Sequence, residues 1–211
     1  MKNTFEYRCG TALIIACLLM IVTIVMHPAG GSFEYLLKIS SMIMITHSIA
    51  LLSVPFALLG FWGLTKRLDN NNFLSIAAFI TMSLGIVAVM CAAVTNGLVL
   101  PIFIDYYRDA TPDKISLIKP ILHYNTALNH GFDLVYIGAS CLSIFLWSLV
   151  ILQTGRLPKW FGWMGIALAL VAVISMIMGF VFVNLTGFRI FIMGFVVWTI
   201  LAGLFLRKEN V

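Results

Sequence analysis

Charge is scarce in this chain. Only 10% of its 211 residues are Asp, Glu, Lys or Arg, against about 25% in a soluble domain. That excludes a water-soluble globule, and the mean hydropathy of +1.06 agrees. Cysteine is sparse too. Cys9, Cys17, Cys91 and Cys141 form no C-x-x-C motif and no loop pair, so neither a disulfide framework nor a zinc ribbon is expected. Three of them sit in apolar stretches, where cysteine behaves as a small hydrophobe. The motifs of several enzyme classes are missing as well: no H-E-x-x-H, no G-x-S-x-G, no phosphate-binding loop and no dinucleotide fingerprint occurs. No hydrophilic stretch is long enough to form a second domain.

What remains is apolar. Hydrophobic residues make up 62% of the chain, and six runs approach or exceed the ~20 residues that span hydrocarbon. They cover roughly 10–27, 40–64, 73–100, 121–153, 160–182 and 187–206, separated by "HPAGGS", "TKRLDNNN", "DYYRDATPDK", "QTGRLPK" and "NLTG", which carry turn or charge signals. The predicted fold is all-α, a single polytopic domain of six transmembrane helices over residues 1–211. The first run follows "MKNTFEYR", and Ala29 and Gly31 could precede a signal-peptide cut. The run is long for a signal core and five more follow, so it reads as the first membrane helix.

A net charge of +5 would suggest nucleic acid in a soluble protein. Here the cations cluster in short loops, so no nucleic-acid partner is expected and the bilayer is. With the N-terminus inside, Lys2, Arg8, Lys66, Arg67, Arg156, Lys159, Arg207 and Lys208 are cytoplasmic, against Lys38, Arg108, Lys114, Lys119 and Arg189 outside. Three of the outer five lie in the longest loop, where the positive-inside rule is weakest. Both termini are therefore predicted to be cytoplasmic. Counting about 20 helical residues from each inner anchor then brings His27, His47, Asn96, Asp133 and Arg189 near one outer level. Helices three and four are longer than a bilayer needs. They are expected to tilt or project, with Thr111–Pro112 opening a short amphipathic segment and a kink or restart at Pro120.

The fourth run begins "HYNTALNHGFD". On a helix, His123, Thr126, His130 and Asp133 share an arc of about 80°, and Asn129, Tyr136 and Ser140 widen it to about 140°. A polar stripe of that kind should face the bundle interior or water. His123 and His130 are about 10 Å apart along the axis, too far to share one small metal ion. A compact metal site would draw on one of them together with His27, His47 or Asp133. Asp133 could instead orient His130, and a b-type haem between His47 and His130 is a further arrangement. Arg189 is expected to pair with Asp133 or Asp105, or to meet lipid headgroups. The plain alternative is that these residues only pack and reach interfacial water.

Known membrane classes fit less well. Ser140 in "GAS" lacks a later histidine to serve as the base of a rhomboid-like protease. Four histidines on one side do not suit a two-haem cytochrome resembling the b561 group. Only Pro55 and scattered glycines hint at the broken helices of a carrier. "NHGFDLVYIGASCLSIFLWSLVILQTGRLPKWFGWMGI" (129–166), with its L-P-x-W-x-G turn, and "GFWGLTKRL" (60–68) resemble a family of bacterial multi-spanning membrane proteins of unknown function. The resemblance implies six helices in a bacterial cytoplasmic (inner) membrane and transfers no catalytic residue. The leading expectation is a polar pocket at the outer face, formed by His47, His130, Asp133 and Asn96 with His27 and His123 at its mouth, taking a small molecule or a cofactor such as haem b or a divalent metal. A metal-dependent enzyme acting on a lipid or small substrate, and a structural or partner-binding subunit, are the alternatives.

Overall fold

A computed structural model describes residues 4–208; Lys2, counted above among the inner cations, lies outside them. Among the described residues the regular elements are all helical: α1 (Thr4–Met26), α2 (Phe33–Lys38), α3 (Ser40–Asp69), α4 (Phe73–Val94), a π-helical turn (Thr95–Val99), α5 (Leu100–Asp105), α6 (Pro112–Thr154), α7 (Lys159–Ile177) and α8 (Leu185–Arg207). Six stretches are long and apolar enough to cross a membrane: Phe5–Met26, Ser40–Asp69, Phe73–Asp105, Pro112–Thr154, Lys159–Ile177 and Leu185–Arg207. Helix is the form such stretches must take, because hydrocarbon offers no partner for an open N–H or C=O.

All six expected spans are present, with bounds that differ for identifiable reasons. The third is interrupted after Val94 by the π turn, then resumes as α5. The fifth stops at Ile177 rather than near 182. Gly179 takes a left-handed φ of +89°, and the N–H groups of Gly179 and Phe180 donate back to the Met176 and Ser175 carbonyls at 3.0 and 2.8 Å. The chain then folds Phe182 against Phe191, with ring centroids 6.0 Å apart.

The fourth span departs furthest from expectation. Thr111 does hold the extended N-cap position with Pro112 in the first turn, although its side chain makes no capping bond. No break follows at Pro120, and α6 runs 43 residues without interruption. Proline there removes only the hydrogen bond to the Ser116 carbonyl. Ser116 and Pro120 are both exposed, so that carbonyl can be solvated. At 1.5 Å per residue α6 is roughly 65 Å long, about twice the thickness of a hydrocarbon core, so its N-terminal part extends beyond the other spans.

The helices form a bundle in which α1 packs on α3 and α8, α4 on α3 and α6, and α6 on α7. Helices in lipid associate through close packing more than through hydrophobic drive, and glycines supply the close approach. Gly10 lies against the Gly203 carbonyl, Gly60 against Leu13, and Gly63 against Cys9. The four cysteines are free. Towards the end holding the described termini, the centre is a chain of stacked rings. Phe61 stacks on Trp147 at 5.2 Å, Trp147 on Trp198 at 6.2 Å, and Trp198 on Phe161 at 4.9 Å, which joins α3, α6, α8 and α7. Polar staples close that end: Arg67 to Glu6 at 2.9 Å, Arg207 to the Tyr7 hydroxyl at 2.9 Å, and Trp147 Nε1 donating to Thr65 Oγ1 at 3.2 Å.

Candidate functional site

The opposite end gathers the polar residues. His27 follows the last turn of α1, where "HPAGG" ends the helix, and His47 sits in the second turn of α3. Their rings meet edge to face, with centroids 5.0 Å apart and planes at 61°. His47 Nδ1–H donates to the Ile43 carbonyl at 2.8 Å, and His27 Nδ1–H donates to the Pro28 carbonyl at 3.0 Å. A carbonyl can only accept, so each ring carries its proton on Nδ1 and leaves Nε2 as a free lone pair. Burial, reinforced by the neighbouring His47, lowers the His27 pKa to about 4, so this imidazole is neutral at neutral pH.

The π turn shapes the wall behind His47. Thr95 Oγ1 donates to the Cys91 and Ala92 carbonyls at 2.8 and 3.2 Å, and the Leu100 N–H reaches back to the Thr95 carbonyl. Gly97 is thereby set against His47 so closely that a Cβ on it would overlap the His47 Cβ and ring. Such π turns occur often at functional sites. Beside it, Asn96 Oδ1 accepts from Asn125 Nδ2 at 3.1 Å. One turn further along α6, Asn129 Nδ2 donates to Asp133 Oδ2 at 2.9 Å. Asp133 is only 7% exposed, and none of the ion pairs among the described residues includes it.

Several expectations are corrected by this geometry. Asp133 does not hold His130; its carboxylate is engaged by Asn129, which lies one turn earlier on the same helix. His130 is half-buried and His123 is exposed, because the N-terminal part of α6 has outrun its neighbours. The polar stripe of α6 is buried only from Asp133 through Tyr136 to Ser140. Arg189 pairs with neither Asp133 nor Asp105. Its guanidinium donates to the His27 carbonyl at 3.0 Å, while Asp105 holds Arg108 at 2.6 Å.

The proposed cofactors can be tested against the same geometry. Among the described residues no three His, Cys, Asp or Glu side chains converge as a metal-binding group.

A cavity of about 90 Å³ lies inside the bundle, and none of His47, His130, Asp133 or Asn96 lines it. Its walls include Met20 and Ile24 of α1, Ala50 of α3, Ala93 of α4, Tyr136 of α6 and Phe188 of α8. The hydroxyls nearby are spent on backbone, Thr23 on Leu19 at 2.9 Å and Ser53 on Ala50 at 2.7 Å. The cavity is therefore apolar. It is nevertheless joined to the polar layer by helix geometry. His27 is three residues from Ile24, His47 three from Ala50, Asn96 three from Ala93, Asp133 three from Tyr136, and Arg189 adjoins Phe188. Three residues on a helix are about 4.5 Å of rise on nearly the same face. On α3, the α4–π segment and α6 the chain thus changes from apolar to polar at one level, His27 follows the end of α1 just beyond Ile24, and Arg189 of α8 joins the layer through the His27 carbonyl.

The wall residues were not found from sequence because alanine and methionine in apolar helices carry no signal of a gap. Asn125 and Gly97 were missed as well; the "TNG" inside an apolar run was the available clue. Compared with known proteins, the chain matches no family model, no curated protein and no solved structure.

Proposed function

We propose that this integral membrane protein binds a small amphiphile at the end of the bundle opposite its termini, with a slender apolar segment in the cavity and a polar head in the layer above. The observation that carries the reading is the change from apolar wall to polar residue at one end of the cavity on α3, the α4–π segment and α6 and just past the end of α1, with Arg189 of α8 bonded into the same layer. An apolar cavity of this scale is suited to hydrocarbon and not to water. The polar layer offers donors and acceptors for a head group: the imidazole Nε2 atoms of His27 and His47, the amides of Asn96 and Asn129, the Asp133 carboxylate and Arg189. His130 stands at the margin of that layer. In the same reading the cation-rich hairpins and both termini are cytoplasmic and the bundle lies in a bacterial inner membrane, as the lysine and arginine distribution favours.

The test is photolabelling in membranes with a fatty acid carrying a diazirine in its acyl chain, with the labelled residues located by mass spectrometry. Labelling is expected at Met20, Met90 or Tyr136, and Ala93→Leu, which fills the cavity, should reduce it at least fivefold. Labelling confined to lipid-facing residues such as Val25, Leu59 and Leu84, and unchanged by Ala93→Leu, would defeat the proposal.

A further inference from the structure

Asp133 is the only Asp, Glu, Lys or Arg that is buried among the described residues. A carboxyl inside a membrane bundle is costly, and it is characteristically kept where it meets a partner or a ligand. Asn129 donates to Oδ2 at 2.9 Å, but an amide brings no charge to balance a carboxylate. No described residue bonds Oδ1, and that oxygen is not among the unpaired atoms sealed from access. Asp133 stands one turn from Tyr136, part of the cavity wall, on nearly the same face of α6. The open oxygen thus belongs to the polar end of the space assigned to the amphiphile.

An opposite charge reaches the same level without joining it. The rings of Tyr136 and Phe188 lie 6.4 Å apart, which sets α6 beside α8 there, and Arg189 follows Phe188. Its guanidinium donates to the His27 carbonyl at 3.0 Å, and it shares no ion pair with Asp133 or with any other described residue. The imidazoles of His27 and His47 and the amides of Asn96 and Asn129 add no charge. A head group of one sign would balance one of these two side chains and leave the other bare. A head group with both signs balances the two together, through the charge-assisted bonds that are the strong ones.

We infer that the bound amphiphile is zwitterionic, with a primary ammonium on Asp133 Oδ1 and an oxyanion, phosphate or carboxylate, on the Arg189 guanidinium. The inference rests on the amphiphile reading and narrows its ligand class. Asp133 is then the residue that separates a zwitterion from a fatty acid, which engages Arg189 alone.

The experiment uses the full chain in membranes and competes four dodecyl amphiphiles against the diazirine fatty acid: dodecanoic acid, dodecylamine, 2-aminododecanoic acid and dodecyl phosphoethanolamine. At least one zwitterion should displace the label from Met20, Met90 or Tyr136 at a tenfold lower concentration than the acid or the amine. Which of the two does so distinguishes carboxylate from phosphate. Asp133→Asn keeps the shape and the acceptor for Asn129, and should bring that zwitterion to the level of dodecanoic acid without weakening the acid. Arg189→Gln should bring it to the level of dodecylamine. Unfolding midpoints of the unliganded variants control for misfolding. The inference is overturned, with the amphiphile reading intact, if the acid or the amine displaces the label as well as either zwitterion does. A carboxyl that is merely protonated would give that result. It is overturned equally if the advantage of the zwitterion survives Asp133→Asn. If the label never enters the cavity, both readings fall together.

Discussion

The two ends of the bundle are built on different plans. Where Glu6, Tyr7, Arg67 and Arg207 meet, glycines bring α1, α3 and α8 into backbone contact, four stacked aromatic rings fill the centre, and the indole N–H of Trp147 finds Thr65. At the opposite end the packing loosens. A cavity opens among Met20, Ala50, Ala93 and Tyr136, α4 passes through a π turn, and buried polar groups such as Asp133 lack a charged partner. One end is organised to hold helices together, and the other leaves room. In natural proteins such departures from full packing concentrate where something binds.

The largest effect expected from breaking this contrast is at Trp147. Its side chain is fully buried and lies between the rings of Phe61 and Trp198. Trp147→Ala should cost about 3–5 kcal/mol, as for large aromatic truncations in packed cores. For a chain of this size that lowers the unfolding midpoint by roughly 6–20 °C, measured by differential scanning fluorimetry in one detergent. A drop of only a degree or two would mean that the aromatic column is not what holds this end together.

The same contrast shows what could be read in advance. The six spans were legible because apolar runs of membrane length have few alternatives. Their ends were less so. Pro120 breaks nothing because its orphaned carbonyl at Ser116 faces outward, and Gly179 ends α7 early because its left-handed turn is completed by Phe182 packing on Phe191; both depend on tertiary surroundings. In the site, the 20-residue ruler brought His27 and His47 to one depth, and their rings do meet. The ruler fixes depth and not rotation about a helix axis, so it could not show that His130 stands aside or that Asn129 takes the Asp133 carboxylate. Nor could it show the cavity, since a gap is a property of how five elements pack and of no residue alone.

A smaller effect is expected at Thr65, whose buried Oγ1 accepts the Trp147 indole N–H at 3.2 Å. Thr65→Val keeps the shape and removes the acceptor, stranding a buried donor at a cost of about 1–2 kcal/mol. Combined with Trp147→Ala, the cost of Thr65→Val should largely vanish, because the donor it strands has gone; a double-mutant cycle in denaturant measures that coupling. Additive effects would show that the hydrogen bond contributes nothing of its own and that the staple is packing alone.

The smallest effect is expected at the loose end, and its sign carries the information. Ala93 is buried on the cavity wall, and Ala93→Leu adds three carbons to a space that no side chain fills. In protein stripped of lipid, the added contacts offset any crowding, and stability should stay within about 1 kcal/mol of the unaltered chain, on the favourable side where the leucine fits without strain. Added fatty acid should separate the two proteins. A ligand bound only by the folded state raises stability by RT ln(1 + [L]/Kd), about 2.7 kcal/mol at a hundredfold excess over Kd. The unaltered chain should gain midpoint with fatty acid concentration, and Ala93→Leu should not. Equal gains in both would mean that the lipid acts on the outer surface of the bundle and that the cavity is a packing defect. A gain confined to the unaltered chain would make the looseness of this end the property that lets it bind.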